Sequence, residues 1–178
     1  MKIKPISYRY SIASCLGLCG LLFAQISHAE PASEYKVKAA FLYNFIQLTE
    51  WPKATEETLR LCLVGKNAID DTIGEIDGNE ANRRRIKVVR LEDYSNIDGC
   101  EILFFAEADQ LDIRKILNKL GGSPVLTISD NLDAAKSGVM INMFPDDRRL
   151  AFSVNVESAK RAHLTLSSRL VRLAKYLD

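Results

Sequence analysis

Apolar positions along this chain recur first at a helical period and then in the short runs of strands. From Glu34 to about Thr49, at about 100° per residue, Val37, Ala40, Phe41, Phe45 and Leu48 gather on one side, and Tyr35, Ala39, Leu42 and Ile46 lie nearly opposite. Lys36, Gln47 and Glu50 form a strip between them. The spacing predicts a helix with two apolar faces. Ser33 is placed to cap its start, and Trp51-Pro52 ends it, because proline disfavours helical geometry in the residue before it. One face must meet the domain core; the other needs a second element or a partner subunit. Leu42 and Ile46 are the positions expected at an interface between two copies.

Beyond this helix the apolar runs shorten and fill with β-branched and aromatic residues: Leu59 to Val64, Ile86 to Leu91, Glu101 to Ala106 and Pro124 to Ile128. Such runs read as buried strands. Asn67 to Ile76 and Asp109 to Leu120 lie between them as helices, the second with Leu111, Ile116, Leu117 and Leu120 at helical spacing before Gly121-Gly122. Alternating strand and helix predicts a mostly parallel sheet covered by helices. Val139 to Phe144 and Leu150 to Val156 flank the turn sequence Pro145-Asp146-Asp147-Arg148, so a hairpin adds an antiparallel part. A last helix is expected from about Ser167 to Leu177, with Leu166, Leu170, Leu173 and Leu177 on one stripe. The expected fold class is a single α/β domain: a mostly parallel, mixed sheet flanked by helices, Rossmann-like, with a C-terminal β-hairpin and helix.

Residues 1–29 depart from this pattern. Lys2, Lys4 and Arg9 precede a mostly apolar run from Ile12 to Ile26, and Ser27-His28-Ala29 follows before Glu30. This is the layout of a secretory signal peptide, and the run is shorter than the roughly 20 residues a bilayer span needs. Cleavage after Ala29 is expected, with residues 30–178 as the domain. Ile12-Ala13-Ser14-Cys15 resembles a lipoprotein cleavage box, but almost no apolar segment precedes it. Lys and Arg number 24 against 23 Asp and Glu; without Lys2, Lys4 and Arg9 the balance is 21 against 23, or −2, so no basic field recruits nucleic acid. Export also leaves only Cys62 and Cys100, in a compartment that oxidises thiols. A disulfide between them is the default expectation, and two buried thiols are the alternative.

The candidate chemistry is sparse. His163 is the only histidine after cleavage, so no zinc site is credible, and nothing resembles a G-x-S-x-G elbow that would support a hydrolase. No metal, cofactor or catalytic residue is expected. Gly65-Lys66 sits where anions bind, but Arg60 and Asn67 stand where a phosphate loop needs glycine and a hydroxyl. Asp130, Asp133, Asp146 and Asp147 fit no EF-hand spacing and read as turn acids. Arg83-Arg84-Arg85 reads as a solvated loop edge. The C-terminal cations are more distinctive: Arg161 and His163 precede the last helix, and Arg169 and Arg172 flank its leucine stripe, a candidate partner-binding surface.

Several blocks then stand in order: Ala39-Ala40-Phe41-Leu42-Tyr43-Asn44-Phe45 with Trp51-Pro52, Leu61-Cys62-Leu63-Val64-Gly65, Gly99-Cys100-Glu101-Ile102-Leu103-Phe104, and Leu126-Thr127-Ile128-Ser129-Asp130. Gly138-Val139-Met140-Ile141-Asn142, Phe152-Ser153-Val154-Asn155 and Leu166-Ser167-Ser168-Arg169-Leu170 complete the set. Together they resemble the YfiR family of periplasmic proteins. The resemblance implies a compact, often dimeric α/β domain that represses a membrane-bound diguanylate cyclase by binding its periplasmic sensor domain, lowering cyclic-di-GMP and biofilm formation. It also implies a stabilising disulfide, whose positions Cys62 and Cys100 match. A second cysteine pair found in some members is missing, and His163 stands where many relatives have glycine. The alternative expectation is a periplasmic small-ligand-binding protein, with Gly65-Lys66 or a cleft at the sheet edge as its site.

Overall fold

Helix α1 (Glu34–Gln47) opens the fold in a computed structural model that describes residues 34–52, 56–64, 70–91, 96–106, 110–147 and 149–177. The expected signal peptide, the Ser33 cap and Gly65-Lys66 lie outside the described residues. A two-residue strand β1 (Thr49–Glu50) follows, then β2 (Thr58–Val64), α2 (Asp70–Ile73) running into a single 3₁₀ turn, and the hairpin β3 (Glu80–Ala81) and β4 (Arg84–Leu91). The chain continues through β5 (Ile102–Phe105), α3 (Gln110–Leu120), β6 (Leu126–Ser129), β7 (Ile141–Asp146) and β8 (Arg149–Val154). It ends with α4 (Val156–Arg161), β9 (Thr165–Leu166), α5 (Ser168–Leu173) and β10 (Tyr176–Leu177).

Among the described residues, one sheet has the order β10-β8-β7-β6-β5-β2-β4-β3, and a separate antiparallel pair joins β1 to β9. Strands β4, β2, β5, β6 and β7 are mutually parallel, in a doubly wound order with one reversal, between β2 and β5. The Rossmann-like expectation holds for this parallel part. Antiparallel pairing enters at β3–β4 and at the β7–β8 hairpin.

Alternation along β2 and β5 sends Leu61, Leu63, Ile102 and Phe104 towards α1, and Cys62, Val64, Leu103 and Phe105 towards Ile113 and Ile116 of α3. Both faces are covered, which is why these strands read as unbroken apolar runs. Leu42 and Ile46 are 0% exposed and belong to the layer between α1 and the sheet. The positions expected at a dimer interface therefore have no surface to offer a second copy. Periodicity marks both apolar faces of α1, and packing on the sheet decides which one is buried.

The last helix is shorter than its leucine stripe suggested. Ala174 leaves helical geometry at ψ 138°, Lys175 N donates to Phe152 O at 2.9 Å, and Tyr176 and Leu177 pair in parallel with Ser153 and Val154. Of the stripe, Leu170 is buried, Leu166 is half-buried, and Leu173 and Leu177 are 62% and 57% exposed. Helix α4 replaces the end of the expected strand: the Asn155 side chain accepts from Ser158 N at 2.7 Å and caps its first turn.

The arginine run is divided rather than solvated as a block. Asn82 and Arg83 form a two-residue turn with φ of 53° and 62°, the signature of a type I′ hairpin. Arg84 turns inward, 6% exposed, and pairs with Glu101, while also donating to the carbonyls of Glu56 and Thr58. Arg85 is exposed on β4.

Candidate functional site

The second apolar face of α1 faces a groove. Its floor is built from Phe41 of α1, Leu48 just after that helix, Leu150 and Phe152 of β8, and Leu170 and Leu173 of α5, around a cavity of about 600 Å³. Aromatic packing fixes this floor: Phe45 and Phe152 lie 4.9 Å apart between ring centroids, and Phe41 meets both edge-on at 5.8 and 5.9 Å. A second cavity of about 580 Å³ shares Phe41 and Leu150 and extends past Val37 to Glu34, Asp147 and Arg149. The groove thus runs along much of α1 beside the β7–β8 hairpin.

Its rim carries both signs of charge. Lys175 pairs with Asp146, and the hydrogen bond it donates to that carboxylate raises the lysine pKa above its ordinary range. Arg169 lines the groove without an ion pair among the described residues. Apolar floor and fixed rim charges suit a macromolecular contact, since such interfaces combine an apolar centre with a polar rim. No group of three or more His, Cys, Asp or Glu that could hold a metal occurs among the described residues.

Of the four cations expected at a partner surface, all are exposed, but they do not gather at one place. Arg161 donates to Ser158 Oγ at 2.7 Å and lines a small cavity of about 110 Å³ bounded by Leu117, Gly122 and Met140. His163 ends α4 in a left-handed turn at φ 56°, with His163 N donating to Lys160 O and Leu164 N to Ala159 O. That is the Schellman arrangement, in which glycine is the usual occupant of this position. Arg172 is exposed on α5. Sequence reasoning missed Leu150 and Phe152 as site residues and assigned Leu173 to the leucine stripe. The signal that could have found the groove was the Val37, Phe41, Phe45 and Leu48 face of α1.

Cys62 of β2 and Cys100, just before β5, form a disulfide with Cα atoms 5.9 Å apart. Strands β2 and β5 are neighbours, as the doubly wound order requires, and Cys62 is paired with Leu103 in the register. Both cysteines are buried, and the bond fits an oxidising compartment. The family model described as YfiR/HmsC-like matches residues 35–175, from the second residue of α1 to the edge of β10. The chain belongs to the YfiR/HmsC-like family. The match takes in the disulfide, the groove and all four exposed cations of this YfiR/HmsC-like domain. No helix among the described residues is long and apolar enough to cross a membrane.

Proposed function

We infer that this YfiR/HmsC-like protein is a periplasmic, non-enzymatic regulator that represses a membrane diguanylate cyclase by binding its periplasmic sensor domain. The family match over residues 35–175 carries this reading, and the disulfide supports the compartment. A repressor works by differential binding: it stabilises the cyclase's inactive state only as far as it binds that state better than the active one. The exposed cations Arg161 of α4, His163 in the turn after it, and Arg169 and Arg172 of α5 supply separate points of that contact.

Deleting the gene should raise cellular cyclic-di-GMP and biofilm formation, and the wild-type copy should reverse both. An Arg161→Glu, Arg172→Glu double variant should accumulate normally in the cell envelope, keep its melting temperature and fail to restore repression. Unchanged cyclic-di-GMP in the deletion strain would refute the reading.

A further inference from the structure

We propose that the outer edge of β8, from Leu150 to Phe152, takes one extended segment of the cyclase's periplasmic domain as an added strand, seated in the groove between α1 and α5; this rests on the repressor reading above. The edge is unfinished. Strand β10 reaches β8 only at Ser153 and Val154, and the bond from Lys175 N to Phe152 O marks where its cover begins. Backbone groups along a strand turn alternately to its two neighbours, so Leu150 presents its amide on the same side as Phe152. The other neighbour agrees: Leu150 stands opposite Pro145 in the β7–β8 register, and proline has no N–H to exchange there. Among the described residues neither β10 nor any loop supplies a backbone partner to the N–H and C=O of Leu150 or to the N–H of Phe152, and both residues line the groove. A row of open main-chain groups is what an extended peptide recognises.

The surroundings of that edge describe the segment that fits. A strand added beside β8 sends every second side chain into the layer that holds Leu150 and Phe152, beneath α1. Apolar surface remains there to receive them: Phe41 and Leu48 are half-buried, and Leu173 of α5 is 62% exposed. The charged residues lining the cavity are Asp146, Lys175 and Arg169; the first two pair with each other, which leaves the guanidinium of Arg169 for the incoming segment. Arg169 is also one of the cations assigned to the cyclase contact, so the groove continues that surface. An amphipathic helix laid on the same floor would dry the Leu150 and Phe152 amides without giving them an acceptor, an unfavourable exchange. The segment is therefore extended, apolar at alternate positions, with one carboxylate in reach of Arg169.

The probe is the purified periplasmic domain of the cyclase whose loss cancels the cyclic-di-GMP rise of the deletion strain, added to the full mature protein. Hydrogen exchange read by NMR should show the Leu150 and Phe152 amides slowed roughly tenfold or more in the complex relative to the protein alone. Leu150→Pro removes one outward N–H and leaves the ladder to β7 intact, so it should raise the dissociation constant roughly tenfold, the scale of one or two lost hydrogen bonds. Leu150→Val keeps the N–H and should stay within about threefold of wild type, and Arg169→Glu should weaken binding roughly tenfold. Melting temperatures confirm that each variant is folded; if Leu150→Pro is not, the amide exchange of wild type decides. A complex that forms with both amides unprotected overturns the added strand, as does a folded Leu150→Pro variant that binds like wild type, and in either case the repressor reading stands. Unchanged cyclic-di-GMP in the deletion strain, or no binding of the cyclase domain to wild type at about 100 µM, removes the repressor reading and the added strand with it.

Discussion

His163 occupies a backbone position that suits glycine. Its φ of 56° closes α4 in a Schellman turn, where a side chain meets the left-handed penalty of about 1–2 kcal/mol. Histidine tolerates this region better than most residues, and replacing it with glycine also loosens the unfolded chain. The net expectation for His163→Gly is a stabilisation of up to about 1 kcal/mol, read as a higher urea midpoint with unchanged slope. Cys62 and Cys100 are separated by 38 positions, and under the chain-entropy model that closure contributes roughly 4 kcal/mol. The Cys62→Ala, Cys100→Ala double variant should lose up to that amount in urea unfolding. Arg84 is the third sensitive site. Its guanidinium is buried against Glu101 and two carbonyls, so Arg84→Ala leaves two carbonyls and a half-buried carboxylate short of a donor and should cost about 1–3 kcal/mol by the same measurement.

Helix α1 is held at both ends by contacts remote in sequence. Near its start Lys38 bonds Asp130, at the end of β6, at 2.9 Å and Glu34 at 3.0 Å. Burial works against the lysine charge, but these carboxylates more than offset it and raise the Lys38 pKa above its ordinary range. The folded state thus holds this proton more tightly than the unfolded chain does. The stabilisation is whole below the unfolded lysine value of about 10.4 and is lost as pH rises through the higher folded value. The urea-midpoint advantage of wild type over Lys38→Met should be flat from about pH 6 to 9 and shrink above the lysine range. At the other end Asn82 donates to Ile46 O at 2.9 Å and Thr49 O at 2.7 Å, tying the β3–β4 turn to the helix end. The parallel strands were legible in the sequence because burial on both faces leaves no polar alternation in Leu61 to Val64 or Ile102 to Phe105. The tail was not, because Leu166, Leu170 and Leu173 keep helical spacing whether or not the helix continues, and pairing of Tyr176 and Leu177 with β8 is a tertiary choice. The same limit hid the orientation of α1: two apolar faces were visible, and only the sheet distinguishes the Leu42 side from the Phe41 side.

At the scale of the whole molecule, the beginning and end of the domain complete each other. Thr49 pairs with Leu166, Ser167 N donates to Leu48 O at 2.9 Å, and the rings of Phe41 and Phe45 rest on Phe152. A ribosome or an export channel delivers α1 long before it delivers β8 or β9. The helix must then wait, with two apolar faces uncovered, while more than half of the domain is still arriving. Closure of such distant contacts comes late and makes the fold cooperative across its full length. A chain stopped after Val154 should expose its apolar surface to a hydrophobic dye and lack a cooperative melt, even though it contains every strand of the parallel core. During delivery, the face of α1 destined for Phe152 is open to any chaperone that binds apolar helices, so the time to deliver the hundred or so residues between α1 and β8 sets how long that protection is needed.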